Sequence, residues 1–282
     1  MVALSLQQSI HRKPQVIVGA FLGLMVACVL GLVAWKASAF RESTLVRAQE
    51  DLMNLARSLS QHAANTIKSP DVAMTGMVEL LKYQNPLPER FNEYLQASTR
   101  AMPQIQFFGV FNADGTWRYS SLAQLPNHNN SDRPYFAYHR DNSSAKLLIS
   151  GPVDSRLTGR PTIILSKRIS NVAGDFIGVL IATIDCEFFS SFYSEFNIGS
   201  EGGITLVLRE GTVLARWPAP SSLLKLTDTS LFRKRLDEGH AGSYLIASPF
   251  DGLKKYIAYE QASEYPVVVT VARSEQQILE GW

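Results

Sequence analysis

The hydropathy pattern is dominated by Val16 to Trp35, VIVGAFLGLMVACVLGLVAW, an apolar run without a charged residue. At about 1.5 Å per residue, a run of this length crosses a hydrocarbon core of about 30 Å. In lipid the backbone must satisfy its own polar groups, so the segment is expected to be a helix. Arg12 and Lys13 precede it and Trp35 ends it at an interfacial position, which puts the N-terminus in the cytoplasm and everything after Lys36 outside the inner membrane. Ala37-Ser38-Ala39 also has the form of a cleavage site. Secretory apolar cores run only to about 7–15 residues, so the length favours an uncleaved anchor.

Beyond the apolar run the period changes. Leu45, Leu52 and Leu59 lie seven apart, as do Ala48, Leu55 and His62, and neither Pro nor Gly intervenes between Gly31 and Pro70. This predicts one long helix whose a/d seam either pairs two copies of the chain, as a homodimer through residues 45–66, or packs on its own domain. After about residue 70 the pattern is expected to change to short strands: 105–111 and 116–119 around Asn112-Ala113-Asp114-Gly115, then 146–149, 162–169 and 176–184. Ser131-Asp132 is expected to cap a short helix through His139, and 185–196 reads as a helix leaving the sheet. A second, smaller round follows. It has strands at 204–208 and 212–216, a helix at about 228–236, and strands at 243–247, 254–259 and 266–271.

The fold class read from this is α+β. A transmembrane helix continues into a long helix, followed by two α/β modules with antiparallel sheets. The expected divisions are a cytoplasmic tail at 1–15, the membrane helix at 16–35 and a signalling helix at 36–70. A membrane-distal module at 71–196, a membrane-proximal module at 197–273 and the start of a further helix at 274–282 complete the chain. Ser274-Glu275-Gln276-Gln277 has capping-box form, and that helix is expected to lead toward a second membrane segment.

Composition narrows the function. The net charge is +2, and the densest basic run, Arg233-Lys234-Arg235, is followed at once by Asp237-Glu238, so no nucleic acid partner is expected. Cys28 and Cys186 are the only cysteines, and Cys186 alone cannot staple the soluble part. No CxxC, HExxH or Cys/His cluster points to a metal or cofactor. Ser143-x-x-Lys146 and Ser222-x-x-Lys225 fit a serine–lysine pattern without its companion motifs. Gly199-Ser200-Glu201-Gly202-Gly203 lacks the lysine and spacing of a phosphate loop. No catalytic constellation emerges, so the chain is expected not to be an enzyme.

The stretches Ser131-Asp132-Arg133-Pro134-Tyr135-Phe136-Ala137-Tyr138-His139-Arg140-Asp141, Gly151-Pro152-Val153, Ser155-Arg156-Leu157-Thr158-Gly159, Ile177-Gly178-Val179 and Thr183-Ile184-Asp185 resemble double Cache (PDC-like) extracytoplasmic sensor domains. They look most like those of bacterial membrane-bound diguanylate cyclases, with histidine kinases and chemoreceptors carrying similar sensors. The resemblance implies a ligand pocket in the membrane-distal module. There, Arg133 of Arg133-Pro134-Tyr135-Phe136 would grip a carboxylate and Asp185 would take an ammonium group. Tyr135, Phe136 and Tyr138 would wall the pocket, and Asp154 and Ser166 are further candidates. His128 stands where the amino-acid-binding pattern has Tyr, and Tyr135 where it prefers Trp. The ligand therefore stays open among amino acids, amines and organic acids. The alternative is an Arg133–Asp185 ion pair inside a scaffold without ligand. His139 is a candidate pH-responsive group.

Overall fold

The computed structural model describes residues 3–219 and 225–280, with side chains from Gly19 onward. Ser222, and with it the second serine–lysine pattern, lies outside the described residues.

Helix α1 spans Ala3–Tyr83. Within it, one stretch is long and apolar enough to cross a membrane, and none of that stretch is buried. The contacts divide the chain into 1–50 with 276–282, and 51–275. The second of these units holds both modules.

In that unit α1 presents Leu52, Ala56, Leu59, Ala63 and Ile67 to the core, then Met74, Met77 and Leu81. The spacing of three and four residues is that of one helix face. The expected end of the helix at residue 70 is therefore corrected. Pro70 removes the amide that would bond the Thr66 carbonyl. The Gln104 side chain donates to that carbonyl instead, at 3.4 Å. With the orphan satisfied, the helix continues to Tyr83. A second helix, α2 (Pro88–Ala101), opens on Pro88 and buries Phe91 and Leu95 one turn apart.

The first module is a five-stranded antiparallel sheet of β1 (Phe107–Asn112), β2 (Trp117–Ser120), β3 (Leu148–Asp154), β4 (Pro161–Ser170) and β5 (Phe176–Asp185). The strand order is β2-β1-β5-β4-β3. Gly115 sits at φ +85 in the β1–β2 turn, where a Cβ would meet the Ser131 amide nitrogen at 2.5 Å. Glycine is thus the residue that permits this close approach. Helix α3 (Pro134–Asp141) and helix α4 (Cys186–Ser194) complete the module.

The second module repeats this plan. Strands β6 (Gly203–Leu208), β7 (Val213–Trp217), β8 (Ala241–Ala247), β9 (Lys254–Gln261) and β10 (Val267–Ser274) run in the order β7-β6-β10-β9-β8. The helix expected at 228–236 is a π-helical turn, Leu231–Arg235, passing into the short α5 (Leu236–Glu238). Helix α6 covers Glu275–Leu279.

Each sheet is buried on both faces, and strand alternation separates them. Phe108, Val110, Leu180, Ala182 and Ile184 of the first sheet join Ile204, Leu206, Val267, Val269 and Val271 of the second in one core around α1. The opposite faces form two separate clusters. Phe107, Phe111, Tyr135, Phe136, Ile164, Val179 and Ile181 make one, in the first module. Val207, Leu231, Tyr244, Ile257, Tyr259 and Val268 belong to the other, in the second module.

The seam read from the heptads is corrected in part. Leu52 and Leu59 are inside the chain's own core, Leu55 packs against it, and His62 stacks on Phe192 at 3.9 Å. From residue 52 onward this face is occupied by the domain itself.

Candidate ligand cleft in the first module

The cleft opens on the face of the first sheet away from α1. Phe107 and Phe111 of β1, Trp117 of β2, Ile164 of β4, and Ile181 and Thr183 of β5 form its floor. Arg133, Tyr135, Asp154, Arg156, His128 and Asn130 rim it.

Arg133 reaches the cleft because Pro134 fixes the start of α3. Pro134 occupies the first helical position, where its missing N–H costs nothing, and holds Arg133 extended at φ −74, ψ 138. The expected Ser131-Asp132 cap is not used. Arg133 is the N-cap without a capping side chain, and Asp132 instead pairs with Arg156 at 2.5 Å. The Arg133 guanidinium donates through Nη2 to the Asp154 backbone carbonyl at 3.2 Å. Among the described residues it has no carboxylate partner. The Asp154 carboxylate, at the same rim, likewise takes no hydrogen bond or ion pair among the described residues.

The remaining groups are set by burial. Tyr135 is buried, and loss of solvent pushes its hydroxyl well above the ordinary value. His128 lies edge-on to Trp117, with ring centroids 5.7 Å apart. Burial first, then the charges of Arg156 and Arg133, hold its pKa below the usual value, so the ring is neutral at pH 7.

The structure brings Arg133, Tyr135 and Asp154 together. Phe136 is fully buried and packs edge-on against Phe176 at 5.6 Å, so it supports α3 from behind the cleft. Tyr138 is exposed beside His139. Asp185 does not line the cleft. Helix α4 starts directly after β5, and Asp185 is its N-cap, accepting from the Glu187 amide at 2.9 Å. It also accepts from Gln106 at 3.1 Å and lies 3.7 Å from Arg160. The alternative of a closed Arg133–Asp185 pair is thereby removed. Ser166 also faces elsewhere, bonding the buried His139 Nε2 at 3.0 Å. Trp117, Arg156 and Asn130 are among the lining residues that the sequence reading did not single out. The 155–159 loop was part of the resemblance, and Arg156 within it was the available signal.

The family model described as a histidine kinase sensor domain, dCache_1_like, matches residues 186–272. A solved extracellular domain of rpHK1S-Z16, a protein assigned as a histidine kinase, is 41% identical, with a TM-score of 0.78. The match covers 84% of this chain and 99% of that one. The chain belongs to the dCache-like sensor domains. As such it is an extracellular sensor domain of a signalling protein. The periplasmic sensory domain of the Campylobacter jejuni chemoreceptor Tlp1 shares the dCache-like fold at 10% identity and TM-score 0.71, over 85% of this chain and 99% of that one. The ligand-binding domain of the Pseudomonas aeruginosa PAO1 amino acid chemoreceptor PctC, solved with GABA, does so at 14% and 0.60, over 80% and 100%. No curated protein matches the chain by sequence. These relatives are a histidine kinase and chemoreceptors, where the residue resemblance pointed first to diguanylate cyclases.

Proposed function

We propose that this dCache-like domain is the input region of a membrane histidine kinase, and that it senses a small zwitterion or carboxylate in the first-module cleft. The observation that carries the ligand reading is the Arg133 guanidinium, which lines the cleft with only a backbone carbonyl as partner among the described residues. A guanidinium fork offers two parallel donors to a carboxylate. Asp154, at the same rim and without an ion-pair partner among the described residues, would take the ammonium-binding role expected of Asp185. Chemoreceptor domains of the same fold have been solved with asparagine (Mlp24) and GABA (PctC), which supports a ligand of this class. The kinase reading rests on the relative at 41% identity. A chemoreceptor or a diguanylate cyclase would use the same input architecture, and the coding sequence after Trp282 discriminates among the three.

The arrangement in the membrane follows the apolar segment. The N-terminus is cytoplasmic, residues 36–282 are periplasmic, and the inner membrane is the partner surface. A homodimer through the 45–66 helix would use the face of α1 opposite Leu52 and Leu59, and sedimentation of the detergent-solubilised chain tests it.

The enclosed space in the cleft is about 30 Å³. The cleft is open to solvent, and Trp117 and His128 line both it and an outer depression formed with Leu125, Pro126 and Asn127. The test is a thermal-shift and tryptophan-fluorescence screen of the full chain against amino acids, amines and organic acids. A binder is expected to raise the melting temperature and change the fluorescence, and Trp117→Phe should remove that change. Arg133→Ala should weaken binding about tenfold or more, the scale of a lost charge-assisted pair. Absence of any binder, or binding that Arg133→Ala leaves intact, overturns the reading.

A further inference from the structure

The internal repeat carries a second cavity in the second module, on the face equivalent to the first cleft. It encloses about 200 Å³. Its walls are Leu231, Tyr244, Ile246, Phe250, Ile257 and Ala272, and Thr270 of the central strand β10 lines it as Thr183 of the central strand β5 lines the first. One charged side chain at this cavity is buried: Arg216 of β7, 8% exposed.

Arg216 is held in place on three sides. Its guanidinium carbon lies 3.7 Å from the centroid of the Phe250 ring. On β6, Gly203 leaves the space that the guanidinium occupies, since a Cβ there would meet Nη2 at 2.5 Å. Nη1 donates to Thr205 Oγ1 at 2.5 Å, and this is its one hydrogen bond among the described residues. No carboxylate forms an ion pair with it there. Asp251, the nearest acidic influence, pairs with the buried Lys255, and the rim residue Asp228 pairs with Arg233 at 2.7 Å. Burial pushes the Arg216 pKa down to about 10, with the Asp251 charge opposing this only in part.

A buried guanidinium is costly unless a carboxylate or equivalent anion meets it. Much of the rest of the lining is apolar, with Thr229, Ser230, Ser248 and Thr270 as neutral polar groups and Asp228 at the rim. We propose that this cavity is a second ligand site, taking a small monocarboxylate whose apolar body fills the space between Tyr244, Ile246 and Leu231 while its carboxylate pairs with Arg216. At about 200 Å³ it falls below the roughly 300–1,000 Å³ of pockets for drug-sized ligands, so a single ring or short branched chain is the size class. Among the described lining residues the one carboxylate, Asp228, is paired at the rim with Arg233, so this site disfavours the zwitterions proposed for the first cleft. The chain would then report two chemically different small molecules.

The test uses the full chain in detergent with benzoate and its uncharged isostere benzamide as probes, read by calorimetric titration. Benzoate is expected to bind and benzamide to bind at least about tenfold more weakly, since the charge-assisted pair is missing. Arg216→Gln should remove that preference. Ser230→Trp, a half-buried rim substitution without a described hydrogen bond, should block the cavity with Arg216 intact, and decides the matter if Arg216→Gln fails to fold. Loss of benzoate binding in Ser230→Trp, which lies in the second module only, separates this site from the first cleft. No benzoate binding, equal binding of benzamide, or benzoate binding that survives Ser230→Trp overturns the proposal.

Discussion

His139 is fully buried at the end of α3, with Nε2 at 3.0 Å from Ser166 Oγ and no described partner for Nδ1. Arg168 donates to its backbone carbonyl. Burial pushes its pKa down to about 4, helped by the Arg168 charge and partly opposed by the Ser166 contact. The unfolded chain has a histidine near 6.5. Between those values the unfolded state binds more protons than the folded one, so stability rises with pH across this window. It is fully present above about 6.5 and is lost as pH falls toward 4, by roughly 3 kcal/mol at most. Melting curves of the full chain at pH 7 and pH 4.5 should show this loss, and His139→Gln should flatten it. An unchanged pH slope in that variant would assign the acid sensitivity elsewhere. The sequence offered His139 as a pH-responsive group, yet a single sequence does not say which face of a short helix is covered. Arg133 was offered by the family resemblance through a short local motif, and the structure places it at the cleft. Arg216 was not, since its environment is assembled from Gly203 and Thr205 on a neighbouring strand and Phe250 far along the chain.

At the scale of elements, the same distinction holds. Most strands were readable from alternation and turn residues, and β4 and β5 fall within a residue or two of expectation. The end of α1 and all of α2 were missed because Pro70 is a helix breaker by its local chemistry. Only the tertiary contact from Gln104 offsets it. Just past that point α1 makes a polar clasp. Asp71 pairs with Lys167 of β4 at 2.7 Å and accepts from the Tyr265 hydroxyl of the second module at 3.0 Å. Lys167 also donates to Thr75 Oγ1 at 2.6 Å, and its side chain is only 9% exposed. Removing Asp71 leaves a nearly buried ammonium without its counter-charge, an event that typically costs about 3–5 kcal/mol. Asp71→Ala should therefore destabilise the full chain by about 3 kcal/mol in denaturant titrations. Adding Lys167→Met should recover most of that loss, because an apolar side chain needs no counter-ion. A loss under about 1 kcal/mol, or no recovery in the double variant, would show that the clasp contributes little.

At the scale of residues 51–275, two sheets repeated along one helix could be two independent bodies, but their cores are not separate. Leu59, Ile67 and Met74 of α1, Leu180 and Ile184 of β5, Leu206 of β6 and Val269 of β10 all belong to one apolar cluster. A signal that reaches one sheet thus meets side chains packed against the other. Closely packed cores transmit displacement because they have few voids to absorb it. The same continuity fixes how the unit should unfold. Two independent modules would melt in two steps, whereas a shared core makes them one cooperative unit. Leu206→Ala removes a fully buried side chain from the second module and should cost about 2–5 kcal/mol. The deciding readout is local: hydrogen exchange at the amides of Leu180 and Ala182, in the first module, should accelerate by the same free energy as that at Val267 and Val269. If the first-module amides keep their protection while the second loses it, the modules unfold separately. The shared core would then be a contact surface, and a ligand shift would have to travel along α1 alone.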